Sequence, residues 1–179
     1  MTSTAAPRTR TTSWHDPHIG AQAGAGMAGL EYLRAMIAGQ LPAPPFAQTV
    51  GFNLVEADDG RAVFEIEPME YHYNPSGAVH GGVACTLLDS AMGCAVHTTL
   101  PAGVGYTTVE LKVNLVRAIT VRTGQLLAEG RIIHRGNRVA TAEGFLRGPD
   151  GKLYAHGTTT CMILPHPGKN PPAEGVRDS

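Results

Sequence analysis

The sequence has few of the residues that hold a small fold together covalently or through a metal ion. Its three cysteines, Cys85, Cys94 and Cys161, are odd in number, widely spaced and form no Cys-x-x-Cys pair. A disulfide framework or a zinc site is therefore not expected, and we predict no metal. We interpret the cysteines as small buried hydrophobes in a reducing compartment, which predicts a cytoplasmic protein.

Net charge and long apolar runs are also nearly absent. The formal net charge is -1 over 179 residues, so no electrostatic attraction for nucleic acid is expected. No stretch approaches the roughly 20 apolar residues that a membrane-spanning helix needs. The sequence therefore predicts neither a nucleic-acid partner nor a membrane partner.

Composition along the chain predicts one folded domain between two unstructured ends. Residues 1–24 are mostly small or polar, which predicts a disordered N-terminal extension. Residues 165–179 have the same character and are predicted to form a flexible C-terminal tail. The remaining residues, 25–164, are numerous enough to bury one core without disulfides.

The spacing of apolar residues predicts the order of elements in this domain. Residues 26–38 carry an apolar stripe at helical spacing and are followed by the proline-rich connector LPAPPFAQ. Two short strands are predicted at 51–56 and 61–68. Residues 80–97 are apolar on nearly every helical face, which is typical of a buried helix. Four strands with period-two alternation are predicted after it, at 109–115, 125–134, 138–147 and 153–164.

The turns between the last strands are short and contain glycine, in the sequences HRGN and GPDGK. Turns of this length join antiparallel neighbours. We therefore expect an α+β fold in which a curved antiparallel sheet wraps around one long central helix, with an extra helix near the N-terminus.

Asp89 is the only charged residue between His80 and His97, inside the helix predicted to be buried. Burying an unpaired carboxylate is costly. Such a residue is retained either because it has hydrogen-bond partners or because it performs chemistry. Taken alone, Asp89 leaves a structural role and a catalytic role equally open.

The segment before this helix, NPSGAVHGG over 74–82, favours the catalytic role. A helix that begins near Gly81 presents free N–H groups that suit an oxyanion, and its glycines let a substrate approach the backbone. Gly81 and Asp89 are eight residues apart, about 12 Å along a helix, so one carbonyl cannot touch both. Two antiparallel copies of the helix would bring them together, which predicts a homodimer with composite sites.

The pattern N-x-x-G-x-x-H-G-G-x-x-x-x-L-x-D over 74–89, followed by GYTTVELKVNLVRAI over 105–119, resembles the hotdog-fold acyl-CoA thioesterases. It is most similar to the PaaI-type (phenylacetate-pathway) branch of the 4-hydroxybenzoyl-CoA thioesterase superfamily. The resemblance covers about 51–164 and implies hydrolysis of an acyl- or aryl-CoA to the free acid and coenzyme A. It implies no cofactor, because coenzyme A is part of the substrate, and it implies a homotetramer built from two dimers.

The resemblance also implies a role for each motif residue. Asp89 would act as nucleophile or general base, and the Gly81 N–H would polarise the thioester carbonyl. Asn74 would help to position the nucleophile or water, and His80 would orient the loop. Thr108 would supply a hydroxyl where some relatives carry serine. Asn74, His80 and Gly81 would come from one subunit, and Asp89 and Thr108 from the other.

Other residues are predicted to contact the substrate. The basic stretch RIIHRGNR over 131–138 could bind the coenzyme A phosphates, with a solvated hairpin turn as the alternative. Met92 is close enough to Asp89 on the helix to line the acyl pocket, although a core role is favoured for it. The predicted substrate-binding residues are Gly82, Met92, Thr107, His134, Arg135, Asn137 and Arg138.

Two other functions are open to a fold of this kind. Hotdog-fold hydratases act on acyl-CoA, but they use a different spacing of histidine and acid from the one between His80 and Asp89. A non-catalytic acyl-CoA sensor would carry a DNA-binding segment, and the N-terminal region is neither basic enough nor long enough for a helix-turn-helix. We therefore expect the thioesterase.

Overall fold

The computed structural model describes residues 6–165. The helices are α1 (Pro17–Gly26), α2 (Gly29–Ile37), α3 (Pro45–Val50) and α4 (Gly81–Thr98). The strands are β1 (Phe52–Asp58), β2 (Arg61–Ile66), β3 (Val104–Leu115), β4 (Leu126–Arg135), β5 (Val139–Arg147) and β6 (Leu153–Pro165). The predicted C-terminal tail lies outside the described residues, apart from Pro165, which ends β6.

The strands form one six-stranded antiparallel sheet in the order β1-β2-β4-β5-β6-β3. Helix α4 packs against all six strands. Its buried residues face the sheet and include Leu87, Leu88, Ala91 and Met92. The predicted α+β fold, with an antiparallel sheet around one long central helix, is confirmed.

Strand glycines allow α4 to lie close to the sheet. A Cβ atom at Gly130 of β4 would lie 2.3 Å from the backbone of Ala91, and one at Gly144 of β5 would lie 2.9 Å from the Met92 side chain. These distances leave no room for a side chain, so the close packing of helix on sheet depends on the glycines. Among residues 6–165, no helix has both the length and the apolar composition of a membrane span.

The N-terminal extension differs from the prediction of disorder over 1–24, because residues 17–24 lie in α1. The Asp16 carboxylate accepts a hydrogen bond of 2.9 Å from the His18 N–H, and Pro17 occupies the first helical position. Gly20 and Gly24 lie against the ring of Tyr32 in α2. No residue of α1 is buried, so the sequence carries no apolar stripe that would predict this helix.

The predicted connector between the N-terminal helix and β1 contains α3. Pro45 begins this helix, and Gly51 ends it in the left-handed conformation with φ 91°. Helix α2 is fixed to the end of α4, since the Gly29 N–H donates to the Leu100 carbonyl over 2.9 Å. The extra N-terminal helix is thus confirmed as α2 and lies beside the end of α4.

Candidate active site

Asp89 and Thr108 form the centre of the candidate site. The Thr108 hydroxyl donates a hydrogen bond of 2.9 Å to Oδ1 of Asp89. Helix α4 supplies the carboxylate and β3 supplies the hydroxyl. The register of pairing between β3 and β6 shifts between Thr108 and Glu110, which marks a β-bulge. Bulges commonly redirect side chains near functional sites.

The Asp89–Thr108 pair opens into a cavity of about 420 Å³. Most of its wall is apolar, which suits a hydrophobic ligand. Asp89 is the only acidic side chain in the described lining, and no Lys or Arg lines it. The lining residues are Met36, Ile37, Ala43, Pro44, Phe46, Ala47, Phe52, Asn53, Leu54, Phe64, Asp89, Ser90, Cys94, Tyr106 and Thr108.

Two protonated groups lie beside Asp89 in this cavity. Burial raises the pKa of the Cys94 thiol to about 12, with a smaller contribution from the negative charge of Asp89. Burial also raises the pKa of the Tyr106 hydroxyl well above its usual value. Both groups therefore stay neutral near pH 7.

His80 caps the start of α4. Its Nδ1 atom accepts a hydrogen bond of 2.9 Å from the Gly82 N–H. A Cβ atom at Gly82 would lie 2.8 Å from that nitrogen, so the glycine makes the cap possible. The Gly81 N–H has no acceptor within the part of the chain that the structure describes, and it is free to bind an oxyanion.

Asn74 holds the turn before α4. Its side-chain oxygen accepts hydrogen bonds from the Ser76 N–H at 2.9 Å and the Ser76 hydroxyl at 2.6 Å. Gly77 completes the turn with φ 79°. The Asn74 side-chain oxygen is therefore engaged in stabilising the turn. The Asn74 amide nitrogen has no acceptor among residues 6–165 and can still serve a substrate.

The two halves of the predicted site lie in different cavities of one chain. Asn74 and Gly81 line a second cavity of about 330 Å³, whereas Asp89 and Thr108 line the first. Gly81 and Asp89 are separated by two turns of α4, about 12 Å along its axis. A single chain does not bring the predicted oxyanion donor to the predicted carboxylate.

Met92 does not line the cavity, contrary to the prediction. Its side chain is fully buried between α4 and β5, against Gly144. Three residues turn a helix by about 300°, so Met92 is offset from Asp89 by about 60° around the axis of α4, toward the sheet. Asp89 therefore lies on the open flank of α4, and Met92 lies on the flank that faces the sheet.

The other predicted substrate-binding residues lie outside the Asp89 cavity of the same chain. Thr107 is exposed on the face of β3 opposite Thr108, as alternation along a strand requires. Gly82 is exposed at the start of α4. The remaining four, His134, Arg135, Asn137 and Arg138, are exposed in the β4–β5 hairpin.

Several cavity residues were not predicted from the sequence. Ser90 follows Asp89 in the sequence, and Tyr106 lies two residues before Thr108. Nearness to these motif residues is the one feature of the sequence that could have indicated them. The wall formed by α2 and α3 had no such signal, because it comes from packing between segments about 50 residues apart in the sequence.

Comparison with known proteins identifies the family. The sequence profile of the thioesterase superfamily matches residues 76–155. A phenylacetic acid degradation-related protein from Ralstonia eutropha JMP134 is 32% identical, with 73% of this chain and 98% of that chain covered and a TM-score of 0.66. This chain belongs to the thioesterase superfamily. The prediction of a thioester hydrolase is confirmed at the level of this superfamily.

Two curated relatives extend the comparison within the thioesterase superfamily. Human acyl-coenzyme A thioesterase 13 is 28% identical over 131 residues, which cover 72% of this chain and 91% of the human protein. A protein from Halobacterium salinarum, named as a candidate esterase, is 34% identical over 99 residues. The match covers 52% of this chain and 64% of the archaeal protein.

Proposed function

We propose that this member of the thioesterase superfamily is an acyl-CoA thioesterase of the PaaI-type branch. The observation that carries the proposal is the Asp89–Thr108 hydrogen bond of 2.9 Å at an apolar cavity of about 420 Å³. The names of the human and Ralstonia relatives support acyl-CoA as substrate and the phenylacetate branch. The three free cysteines support a reducing compartment such as the cytoplasm.

In the proposed reaction, the thioester carbonyl accepts a hydrogen bond from the Gly81 N–H, and its acyl group occupies the cavity. Asp89 either takes a proton from the attacking water or attacks the carbonyl carbon itself. The C–S bond then breaks, the coenzyme A sulfur leaves and takes up a proton, and water supplies the new carboxyl oxygen. Thr108 orients the Asp89 carboxylate through its hydrogen bond.

A homodimer would complete this site, with Asn74, His80 and Gly81 from the partner copy. Strand β3 is a twelve-residue edge of the sheet, and it exposes apolar side chains that include Val109, Leu111 and Leu115. A long edge with apolar side chains is suited to pairing with a second strand. We propose that β3 pairs with its copy, and that two such dimers form a homotetramer.

The β4–β5 hairpin is the proposed binding surface for the coenzyme A phosphates. Arg135 and Arg138 are exposed and form no ion pair among the described residues, so both remain available to an anion. Cross-strand pairing places Val139 opposite Met162, and Met162 opposite Thr107. The hairpin therefore ends about 10 Å, two strand spacings, from the end of β3 that carries Thr108.

The test is release of coenzyme A thiol from a panel of acyl- and aryl-CoA thioesters by the wild type and by Asp89→Asn. We expect the substitution to lower kcat by about 10²–10⁴-fold, the usual contribution of a positioned base. Asp59→Asn is the matched control, because Asp59 is exposed in the β1–β2 turn. It should retain full activity.

Each other outcome has a defined meaning. Equal activity of the wild type and Asp89→Asn would remove Asp89 from the mechanism. Binding of acyl-CoA without thiol release from any thioester would replace the enzyme with a non-catalytic acyl-CoA-binding module. Hydration of an enoyl-CoA without thiol release would identify a hydratase.

A further inference from the structure

A further cavity, here called the outer cavity, lies beside the Asp89 cavity. It has a volume of about 470 Å³ and lies between the N-terminal segment and the end of α2. Met36 and Ala43 line both cavities, so these two side chains form the wall between them. The other residues of this outer cavity are Ser13, Trp14, His15, Gly39, Leu41, Pro42 and Gln48.

The two residues that line both cavities are a flexible methionine and a small alanine. Met36 is only partly buried, and a methionine side chain has three rotatable bonds and adapts to irregular spaces. Ala43 contributes a single methyl group. Rotation of the Met36 side chain would therefore join the two cavities without a change in the backbone.

Trp14 is held over the outer cavity by the residues on both sides of it. On one side, the Arg10 guanidinium donates to the carbonyls of Thr49 at 2.6 Å and Gln48 at 3.2 Å, and lies 4.1 Å from the centre of the Tyr71 ring. On the other side, α1 begins at Pro17. The indole remains 59% exposed, although an apolar surface of this size gains free energy when an apolar group covers it.

We propose that the two cavities form one channel for a long unbranched acyl chain, with Met36 as its gate. This inference rests on the proposed thioesterase function. Short acyl groups occupy only the cavity beside Asp89. The far end of a longer chain passes between Met36 and Ala43 and lies against Trp14. The N-terminal extension then selects substrates by chain length.

Trp14 is the only tryptophan in the chain, so its fluorescence reports directly on the outer cavity. The probes are non-hydrolysable thioether analogues of coenzyme A that carry a butyl or a hexadecyl chain. We expect a saturable change in Trp14 emission with the hexadecyl analogue and none with the butyl analogue. The change should be lost in Met36→Phe, whose rigid ring blocks the gate.

The same variants are compared in hydrolysis. Met36→Phe and Ala43→Leu should each lower the ratio of kcat/KM for hexadecanoyl-CoA to kcat/KM for butyryl-CoA by about tenfold, or 1.4 kcal/mol. Met69→Phe is the matched control, because Met69 is 42% exposed and lines neither cavity. It should leave this ratio and the fluorescence response unchanged. Two independent substitutions, Met36→Phe and Ala43→Leu, are used so that the test does not depend on the folding of a single variant.

The channel would be disproved if Trp14 emission did not respond to the hexadecyl analogue, or responded equally to the butyl analogue. An unchanged ratio of kcat/KM in both Met36→Phe and Ala43→Leu would also disprove it, while leaving the thioesterase intact. If no thioester were hydrolysed, the proposed function would fail instead. The binding of the thioether analogues, which needs no hydrolysis, would still decide whether the channel exists.

Discussion

The hydrogen bond from Thr108 to Asp89 fixes one oxygen of the carboxylate, which leaves the other oxygen for the proposed reaction. Removing the hydroxyl with an isosteric valine should release the carboxylate without opening a cavity. A hydrogen bond to a charged group contributes about 1.5–3 kcal/mol. We therefore expect Thr108→Val to lower kcat by about 10- to 100-fold, measured as thiol release under saturating substrate.

Thr107→Val is the matched control for Thr108→Val, because Thr107 is exposed on the opposite face of β3. We expect it to have less effect on kcat than Thr108→Val. Equal losses in the two variants would mean that the hydroxyl of Thr108 has no special relation to Asp89.

His97 lies near the end of α4, between the rings of Tyr32 and Tyr106, whose centres are 5.8 Å and 5.6 Å from its own. Burial lowers the pKa of His97, and its Nδ1 atom has no hydrogen-bond partner in the described part of the chain. The unfolded chain therefore takes up a proton at a higher pH than the folded chain does. The contribution of neutral His97 to the free energy of unfolding is therefore fully present above pH 6.5. It is lost as the pH falls below that value.

Replacing His97 by phenylalanine should remove this dependence on pH. We expect the free energy of unfolding of the wild type to fall between pH 7.5 and 5 more steeply than that of His97→Phe. One proton accounts for at most about 1.4 kcal/mol per pH unit. Denaturant unfolding of both proteins at several pH values measures the difference, and parallel curves would contradict the assignment to His97.

At the scale of elements, the distance between α4 and the sheet depends on glycine. A Cβ atom at Gly130 would lie 2.3 Å from the Ala91 backbone, which cannot move independently of the helix. We expect Gly130→Ala to destabilise the fold by about 3 kcal/mol, the upper part of the usual range for overpacking. The measurement is the denaturant midpoint at fixed protein concentration.

Gly26→Ala is the control for this prediction, because a Cβ atom there has no other atom within 4 Å. An added methyl group at Gly26 should change stability by no more than about 1 kcal/mol. A similar loss in both variants would show that glycine contributes through chain flexibility, rather than through the close approach of α4 to β4.

The elements that bury an apolar face could be predicted from the sequence. The helix predicted at 80–97 is observed at Gly81–Thr98, since its apolar residues leave few other ways to be buried. The elements without such a face could not be predicted. Helix α1 buries no residue, and α3 has six residues within a proline-rich stretch, so local capping is the only sign of either helix.

The same distinction holds for the candidate site. Asp89 and Thr108 could be predicted because both belong to continuous motifs, and the structure brings them into contact. The apolar wall could not, because it is made when α2 and α3 fold against β1, β2 and α4. Nearness in sequence to Asp89 makes Met92 a candidate for the pocket, but its apolar side chain favours the core, and the structure buries it there.

At the scale of the whole molecule, the two groups of predicted site residues lie in separate cavities, and β3 forms one edge of the sheet. The open flank of α4 carries partly buried or exposed residues at helical spacing, from Gly82 through Thr86 to Asp89 and Ser90. The packing of a second α4 along this flank, antiparallel to the first, would cover it. The same arrangement would bring each Gly81 to the Asp89 of the other copy, so closure of the dimer and completion of the site would be one event.

Complementation between two inactive variants tests this arrangement. Asn74→Ala and Asp89→Asn should each be inactive alone, because every composite site would contain one altered residue. After subunit exchange in an equal mixture, half of the dimers are mixed, and each mixed dimer contains one intact site. We therefore expect the mixture to recover about one quarter of wild-type activity, whether or not dimers pair into tetramers.

A site formed within one chain gives a different result in the same experiment. Each chain would then carry either Asn74→Ala or Asp89→Asn in its own site, and no exchange of subunits could restore activity. The mixture would stay as inactive as its components, although size-exclusion chromatography would show the same oligomer. Recovery of activity therefore requires that Asn74 and Asp89 act on one substrate from two different chains.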